Sequence, residues 1–489
     1  MITGLKPYPT MKDSGVPWLG EVPEHWDVRT VGVLGALFKG NGGNKSDEAS
    51  TGIPCIRYGD LYTRHEFFIS ASKACVSNER AGAYTSIRHG DVLFAASGET
   101  MEDIGRSAVN LIEGEARCGG DILVLRPQVP VVPRYLGYAS DSPASRHQKA
   151  CMGRGFTVVH IYGGELKRLA LPLPPLPEQA AIVRFLDHVD RRIRRYIRAK
   201  QKLIKLLEEQ KQAIIHRAVT RGLDPNVRLK PSGVEWLGDV PEHWEVVRLG
   251  RVIEMVTGYP FKSDSFTQDP EEIRLLRGVN IAPGRIRWTD VVRWRRSEHH
   301  KYSAFDLQVG DIVLGMDRPL IQSGTRVATV SEPDLPALLV QRVARIRPRH
   351  VLQGKFLALL LAGKSFADYL TPIFTGISVP HLSPDQIKSF CFALPTYDEQ
   401  REIVQWTAEN TRRTDDSIAN TDREIQLLRE FRTRLIADVV TGKLDVREAA
   451  ARLPDEEGEP EPIDEIEPDV EADEDGGDDT DEMPEEAEA

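Results

Sequence analysis

The chain has 489 residues, of which 40% are hydrophobic and 28% are charged. Its net charge of −11 is unevenly distributed, because the body of the chain before Pro454 has 54 acidic and 63 basic residues. This composition is typical of soluble globular proteins, and the basic body is a candidate polyanion binder. No apolar run approaches the roughly 18 residues of a membrane helix, residues 1–12 lack a secretory signal, and five scattered cysteines without a C-x-x-C pair argue against disulfides. We therefore expect a cytoplasmic protein without membrane contacts.

The first predicted element is a frame that occurs twice. Residues 14–32 and 232–250 agree at 13 of 19 positions, and both contain W-L-G-x-V-P-E-H-W. Shorter echoes follow in the same order in each half: Gly90-Asp91 and Gly310-Asp311, Arg126-Pro127 and Arg347-Pro348, His160 and His381, Glu178-Gln179 and Glu399-Gln400. The stretches between them differ. Two similar frames with different inserts favour a two-target reader over a protein with one active site.

The first insert is predicted to be mixed α/β, with strands at 92–95 and 122–125. Its basic, amide and aromatic side chains suit DNA, because Arg pairs with guanine, Asn with adenine, and Lys with phosphate. The candidate DNA-binding residues of this insert are Lys39, Asn41, Asn44, Lys45, Arg57, Tyr58 and Arg64.

A long helix is predicted to follow the first insert. Apolar or long side chains recur in alternating steps of four and three residues, which is the spacing of a heptad seam. The seam positions are Ile182, Leu186, Val189, Ile193, Tyr196, Lys200, Leu203, Leu207, Gln210 and Ile214.

The second insert is also predicted to be mixed α/β, with strands at 312–314 and 343–346 and a helix at 355–370. Residues 277–301 are its most basic stretch, with seven Arg or Lys and two acids. The candidate DNA-binding residues are Tyr259, Lys262, Arg277, Asn280, Arg285, Arg287, Arg293, Arg295, Arg296 and Lys301, with Trp288 and Trp294 among them.

A second long helix and an acidic tail complete the chain. The helix has a weaker seam, with Thr407, Asn410, Thr414 and Thr421 among apolar positions that include Phe431. The tail, 447–489, has 20 acidic and no basic residues from Pro454 onwards and is predicted to be disordered. Either it solubilises the protein, or it mimics nucleic-acid phosphates and competes for the basic body.

No catalytic constellation is recognisable. Gly363-Lys364-Ser365 lacks the first glycine of a phosphate-binding loop, because Ala358 occupies its position. The histidines lack metal-ligand spacing, and no G-x-S-x-G motif is present. We expect no enzymatic activity and no cofactor or metal bound by this chain. A self-contained nuclease or methyltransferase with an unrecognised site, and a coiled-coil assembly protein with an acidic partner, remain the alternatives.

The repeated W-L-G-x-V-P-E-H-W, G-D-[VI], G-[FI]-x-V-x-H-[IL] and L-P-x-x-x-E-Q elements resemble the DNA-specificity (S) subunit of Type I restriction-modification systems over residues 14–446. The resemblance implies an α/β protein in which each half reads one part of a bipartite, asymmetric DNA site. It also implies that the two helices form an antiparallel coiled coil that sets the spacer. The implied parts are a first target recognition domain 1–172, a spacer helix 173–222, a second recognition domain 223–393 and a second helix 394–446.

The same resemblance implies the partners. It predicts a non-catalytic subunit bound to double-stranded DNA and two methyltransferase subunits, and in a complete restriction complex also to two endonuclease/translocase subunits. S-adenosylmethionine, ATP and Mg²⁺ would be bound by those partners. The expected docking positions are Glu178, Gln179, Glu399 and Gln400.

Overall fold

The computed structural model describes residues 5–43, 47–155, 158–321, 323–374 and 380–454. The chain divides into two compact units, the first formed by residues 1–199 together with 424–489, and the second by residues 200–423. The DNA-binding candidates Asn44 and Lys45, and the acidic tail beyond Pro454, lie outside the described residues.

The first unit has a frame, a central sheet and a smaller sheet. The frame strands are Met11–Asp13 with Glu21–Pro23, and Asp27–Thr30 with Ala170–Leu173. The central sheet has the order Gly35–Lys39, Ile122–Pro127, Val92–Ala95, Ser107–Asn110 and Phe67–Ile69, with only the last pair parallel. The smaller sheet has the order Glu48–Ala49, Cys75–Val76, Ile53–Ile56, Ala116–Cys118 and Thr85–Ile87. A short pair joins Ser97–Gly98 to Val159–His160. The helices are Val31–Leu34, Asp60–Thr63, Pro133–Ser140, Pro143–Met152, Gly163–Leu166 and Arg447–Ala451.

The second unit repeats this order. Its frame strands are Leu229–Pro231 with Asp239–Pro241, and Glu245–Arg248 with Cys391–Leu394. The central sheet has the order Ile253–Thr257, Val343–Pro348, Ile312–Gly315 and Val327–Thr329. The smaller sheet has Arg293–Trp294, Ile273–Leu276 and Ala337–Leu339, and two hairpins pair Ile281–Ala282 with Arg285–Ile286 and Leu320–Ile321 with Gly324–Thr325. The helices are Gly354–Ala362, Lys364–Phe374 and Pro384–Ser389. The prediction of two similar mixed α/β halves is confirmed.

One predicted helix is divided in two. The sequence predicted a single helix at 355–370, but the first helix ends at Ala362 and the next begins at Lys364. A Cβ on the intervening Gly363 would lie 2.7 Å from the carbonyl oxygen of Leu359, so only glycine allows this close bend.

The echoed Gly-Asp and Arg-Pro pairs are two copies of one ion pair between neighbouring strands. Asp91 accepts from Arg126 at 2.7 and 3.0 Å, and Asp311 accepts from Arg347 at 2.5 and 2.9 Å. Both aspartates are buried. Because an arginine and a buried aspartate pair at the same place in both units, this ion pair belongs to the shared scaffold.

Two long helices, Leu176–Arg221 and Tyr397–Val440, each contribute residues to both units. Each ends before a glycine in the left-handed conformation, with φ of 74° at Gly222 and 77° at Gly442. The second tryptophan of each repeated frame motif covers one of these glycines: Trp244 lies over Gly222 in the second unit and Trp26 over Gly442 in the first. Each frame therefore covers the end of the long helix that belongs to the other half of the sequence.

The predicted heptad seam is wrong in the middle of the first helix and at two positions of the second, whose other seam positions are buried or partly buried. In the first helix Tyr196, Leu203 and Gln210 are exposed, and the less exposed positions after Ile193 are 197, 200, 204, 207 and 211. In the second helix Asn410 and Phe431 are exposed, whereas their neighbours Thr411 and Arg432 are not. In a straight helix, positions that repeat every seven residues turn by about 20° per repeat around the helix axis. An extra step of four residues compensates for that turn and keeps the buried positions on one face.

Within the described ranges, no single helix is long and apolar enough to cross a membrane. The bent pair Gly354–Ala362 and Lys364–Phe374 reaches that length and composition only jointly, and its apolar side chains, including Phe356 and Phe366, are buried in the core of the second unit.

Candidate nucleic-acid interface

Each unit has a loop that crosses a neighbouring strand at one end of the central sheet. A Cβ on Gly40 would lie 2.0 Å from the carbonyl oxygen of Gly119, and a Cβ on Gly258 would lie 2.0 Å from that of Val340. Each crossing therefore requires glycine. We call residues 40–43 and 258–261 the crossing loops.

The crossing loops occupy equivalent positions but present different side chains. Gly120 N donates to Gly42 O at 2.7 Å in the first unit, and Gln341 N donates to Tyr259 O at 2.9 Å in the second. The first loop exposes Asn41, whereas the second exposes Tyr259. The sheet end is thus the same scaffold with two different surfaces.

The other candidates of the first insert lie along a path from this loop. Gly119, which the first crossing loop passes over, donates its N–H to Ile56 O at 2.9 Å. Arg57 is the next residue in the chain after Ile56. Arg57 pairs with Glu48 at 2.8 Å. Lys39 and Tyr58 are exposed, and Arg64 pairs with Asp60 at 3.1 Å. Carboxylates therefore orient two of these three basic side chains, Arg57 and Arg64.

The second crossing loop rests on a cluster of aromatic rings. Tyr259 lies with its ring centroid 4.9 Å from that of Tyr302 and 5.0 Å from that of Phe261, and Phe261 lies 4.9 Å from Trp294. Trp294 is buried, so it supports the surface from beneath and does not form part of it. Tyr259 is 37% exposed and the adjacent Lys262 is exposed, so an aromatic face and a charge are available there.

The basic stretch 277–301 divides into internal and surface residues. Asn280 is buried, accepts from Arg277 N at 3.0 Å, and donates to the carbonyl oxygens of Arg287 and Asp290. A base contact by Asn280 would require these bonds to be released. Trp288 donates to Asp334 at 2.9 Å. Four of the predicted residues are exposed: Arg285, Arg295, Arg296 and Lys301.

The remaining arginines of this stretch are partly buried. Arg277 pairs with Asp290, and Arg293 donates to the carbonyl oxygen of Glu272 at 3.0 Å. Arg287 is likewise only partly exposed. The high density of basic residues in the sequence therefore did not distinguish arginines that stabilise the loop from arginines on its surface.

The four expected docking residues make contacts within their own units. Gln179 accepts from Val132 N at 2.9 Å and Gln400 accepts from Gln353 N at 2.8 Å, and both amides are buried. Glu178 pairs with His25 and Glu399 with His243, each at 2.8 Å. These contacts connect the start of each long helix to the frame and to the recognition domain of the same unit. They involve no partner subunit, so the docking role of the four residues stays a prediction.

Two features escaped the sequence reasoning. One is a charged network of Glu66, Asp190, Arg194 and Arg432, in which Arg432 donates to both oxygens of Glu66 at 2.8 Å. Burial raises the pKa of Glu66, but Arg432 and Arg194 outweigh it and lower the pKa to about 2. The other is a cluster around Asp317 in the second unit. Only the echoed His381 signalled that cluster in the sequence.

Among the described residues, no group of three or more His, Cys, Asp or Glu side chains is arranged to hold a metal ion.

The fold and the crossing loops define a duplicated recognition protein, with one scaffold used twice. A family model described as the Type I restriction modification DNA specificity domain matches residues 23–206 and again residues 241–426. The chain belongs to this family.

Individual relatives agree with this assignment. The chain is 28% identical over 295 residues to the specificity subunit of type I restriction enzyme MjaVIII of Methanocaldococcus jannaschii, covering 60% of this chain and 66% of that subunit. It is 34% identical over 204 residues to the EcoAI specificity subunit of Escherichia coli, covering 41% and 34%. A solved chain from work on complex assembly and conformational transition of the type I R-M system shares the fold, with TM-score 0.58, 18% identity, and coverage of 86% and 99%.

The matched regions span less than two thirds of both named subunits. Both relatives are described as specificity subunits, in agreement with the prediction of a specificity subunit.

Proposed function

We propose that this chain is the DNA-specificity subunit of a Type I restriction-modification complex and that each unit reads one part of a bipartite, asymmetric DNA site. The observation that carries the proposal is the pair of crossing loops. In both units a glycine crosses the chain closely and a carbonyl of the loop accepts from the segment before the neighbouring strand, yet one loop presents Asn41 and the other Tyr259. A reader with two equivalent scaffolds and two different surfaces recognises two different half-sites.

The long helices are proposed to form an antiparallel coiled coil that sets the spacer. In the first unit, Ile182, Leu186 and Val189 from the start of one helix share a core with Leu435 and Val439 from the end of the other. In the second unit, Lys211 pairs with Asp415 at 2.5 Å. A helix rises about 1.5 Å per residue, so residues 182–214 extend about 48 Å, or roughly 14 base pairs.

The proposed partners are double-stranded DNA, two methyltransferase subunits and, in a restricting complex, two endonuclease/translocase subunits, all in the cytoplasm. S-adenosylmethionine, ATP and Mg²⁺ would be bound by those partners and not by this chain. The docking residues would be Glu178, Gln179, Glu399 and Gln400. They would act indirectly, by fixing the start of each long helix against its frame and domain where a methyltransferase binds.

The test is co-expression with the methyltransferase encoded beside this chain, followed by mapping of methylated adenines by long-read sequencing. We expect a split motif that is absent without this chain. Purified chain alone should neither cleave nor methylate DNA with any added cofactor. A complex that forms stably but methylates without sequence preference would contradict the proposal.

A further inference from the structure

A charged cluster next to the second crossing loop contains side chains outside the DNA-binding candidates named above. Arg342 Nη1 lies 3.2 Å from Asp317 Oδ2, and His381 Nδ1 lies 2.5 Å from Asp317 Oδ1. Asp317 follows the strand Ile312–Gly315 and Arg342 precedes the strand Val343–Pro348, so both lie at the same end of the central sheet. The side chain of Arg342 is 58% exposed, so Asp317 orients it without covering it.

The backbone fixes this arginine in an uncommon conformation. Arg342 has φ of 62°, in the left-handed region that L-residues adopt at a cost. Its carbonyl accepts from Met316 N at 2.9 Å. Buried Arg326 donates to Asp317 O at 3.1 Å and to Ile281 O at 3.0 Å, which anchors the partner carboxylate. Such conformations persist where the surrounding structure imposes them, and they concentrate at binding sites.

The first unit has a residue of opposite charge at the same position. Ala96 N donates to Asp121 O at 2.9 Å, as Met316 N does to Arg342 O. Asp121 directly follows Gly120, which bonds the first crossing loop, just as Arg342 follows Gln341. Asp121 is exposed. The two units therefore present an acceptor and a donor at one equivalent place beside their crossing loops.

We propose that this position reads one base pair in each half-site. The guanidinium of Arg342 donates to guanine O6 and N7, and the carboxylate of Asp121 accepts from the cytosine N4 amino group. Asp317 positions Arg342 by holding one of its nitrogens. The inference rests on the proposed function and specifies the chemistry of two of its contacts.

The experiment selects binding sites from a random double-stranded library with the complex of full chain and methyltransferase, at one salt concentration. Arg342→Ala should lower the preference for one G·C pair in one half-site by about tenfold or more and leave the other half-site unchanged. Arg342→Lys should keep a weaker preference for guanine, because a lysine can donate to O6 and N7 but not in the same forked geometry. Asp121→Ala should relax one position in the opposite half-site.

The matched control is Arg349→Ala, because Arg349 is an exposed arginine just beyond the other end of the same strand. It should select the wild-type motif. Circular dichroism and melting temperature confirm that each variant is folded. If wild-type protein selects no split motif, the proposed function fails. If wild type selects one and Arg342→Ala keeps every base preference, the reading role of Arg342 is overturned, and a uniformly weaker affinity of that variant identifies a phosphate contact.

Discussion

Glu66 joins the first recognition domain to both long helices, because Arg432 comes from the second helix and Arg194 from the first. The Glu66 side chain is 20% exposed, so its charge is compensated by arginines more than by water. Its pKa of about 2 lies below the ordinary value of 4.5. The ionised carboxylate therefore stabilises the folded state above pH 4.5, and this stabilisation disappears as the pH falls from 4.5 towards 2.

We expect Glu66→Gln to lower the free energy of unfolding by about 3 kcal/mol at pH 7. Urea unfolding at a series of pH values should also show a smaller loss of stability below pH 4.5 than in wild type, because the titrating group is gone. Glu113→Gln is the control, since that side chain is 92% exposed. Equal effects of the two substitutions would contradict the role of the network.

At the residue level, burial divides the predicted DNA-binding candidates in a way that the sequence did not show. Asn280 and Trp294 are candidates, and both are buried. Arg342, which we propose as a base-reading residue, was not a candidate because it lies in no motif of the sequence. The proposal for Arg342 rests on a strand end, a left-handed backbone and a carboxylate 25 positions earlier in the chain. None of these is visible without the register of the sheet.

At the level of elements, the two helix ends form a matched pair for substitution. A Cβ on Gly442 would lie 2.2 Å from Cδ of Pro23, whereas a Cβ on Gly222 would lie 3.3 Å from the Trp244 ring. We expect Gly222→Ala to cost about 1–2 kcal/mol from the left-handed backbone alone. Gly442→Ala should cost distinctly more, because a rigid proline ring must also move. Urea unfolding of both variants tests the order, and equal costs would contradict it.

The duplicated ion pair gives a second prediction for the elements. Asp91→Asn should weaken the central sheet of the first unit, and Asp311→Asn that of the second, each by about 3 kcal/mol, because each leaves an arginine without its buried carboxylate. Hydrogen exchange read peptide by peptide should show faster exchange in the affected sheet. Faster exchange in both sheets with either single variant would show that the two copies are not independent.

The elements were largely predictable, and their failures have a physical cause. The predicted strands 92–95, 122–125, 312–314 and 343–346 are present, because short apolar runs between turns are typical of buried strands. The helix seam failed after Ile193, because a seven-residue repeat does not match 3.6 residues per turn over so long a helix. The sequence also showed the repeated Gly-Asp and Arg-Pro pairs. It did not show that Asp91 contacts Arg126, because these residues are 35 positions apart and only the folded sheet brings them together.

At the level of the whole molecule, the proposed spacer role predicts the effect of a deletion. Removing one heptad from the middle of each long helix shortens each by about 10 Å, or roughly 3 base pairs. We expect the spacer of the methylated motif to shorten while both half-site sequences persist. Long-read mapping of methylated adenines gives both quantities. Altered half-sites with an unchanged gap would contradict the proposal.

The make-up of the first unit has a consequence for the order of biosynthesis. Residues 200–423 form the second unit from one continuous stretch, whereas the first unit also needs residues from 424 onwards. Until those residues leave the ribosome, Glu66 lacks Arg432, Trp26 lacks the turn at Gly442, and the backbone of Lys6 lacks its partner Asp445. The half that is translated first is therefore completed last, and a nascent chain stalled before residue 424 presents an open first unit to chaperones and proteases.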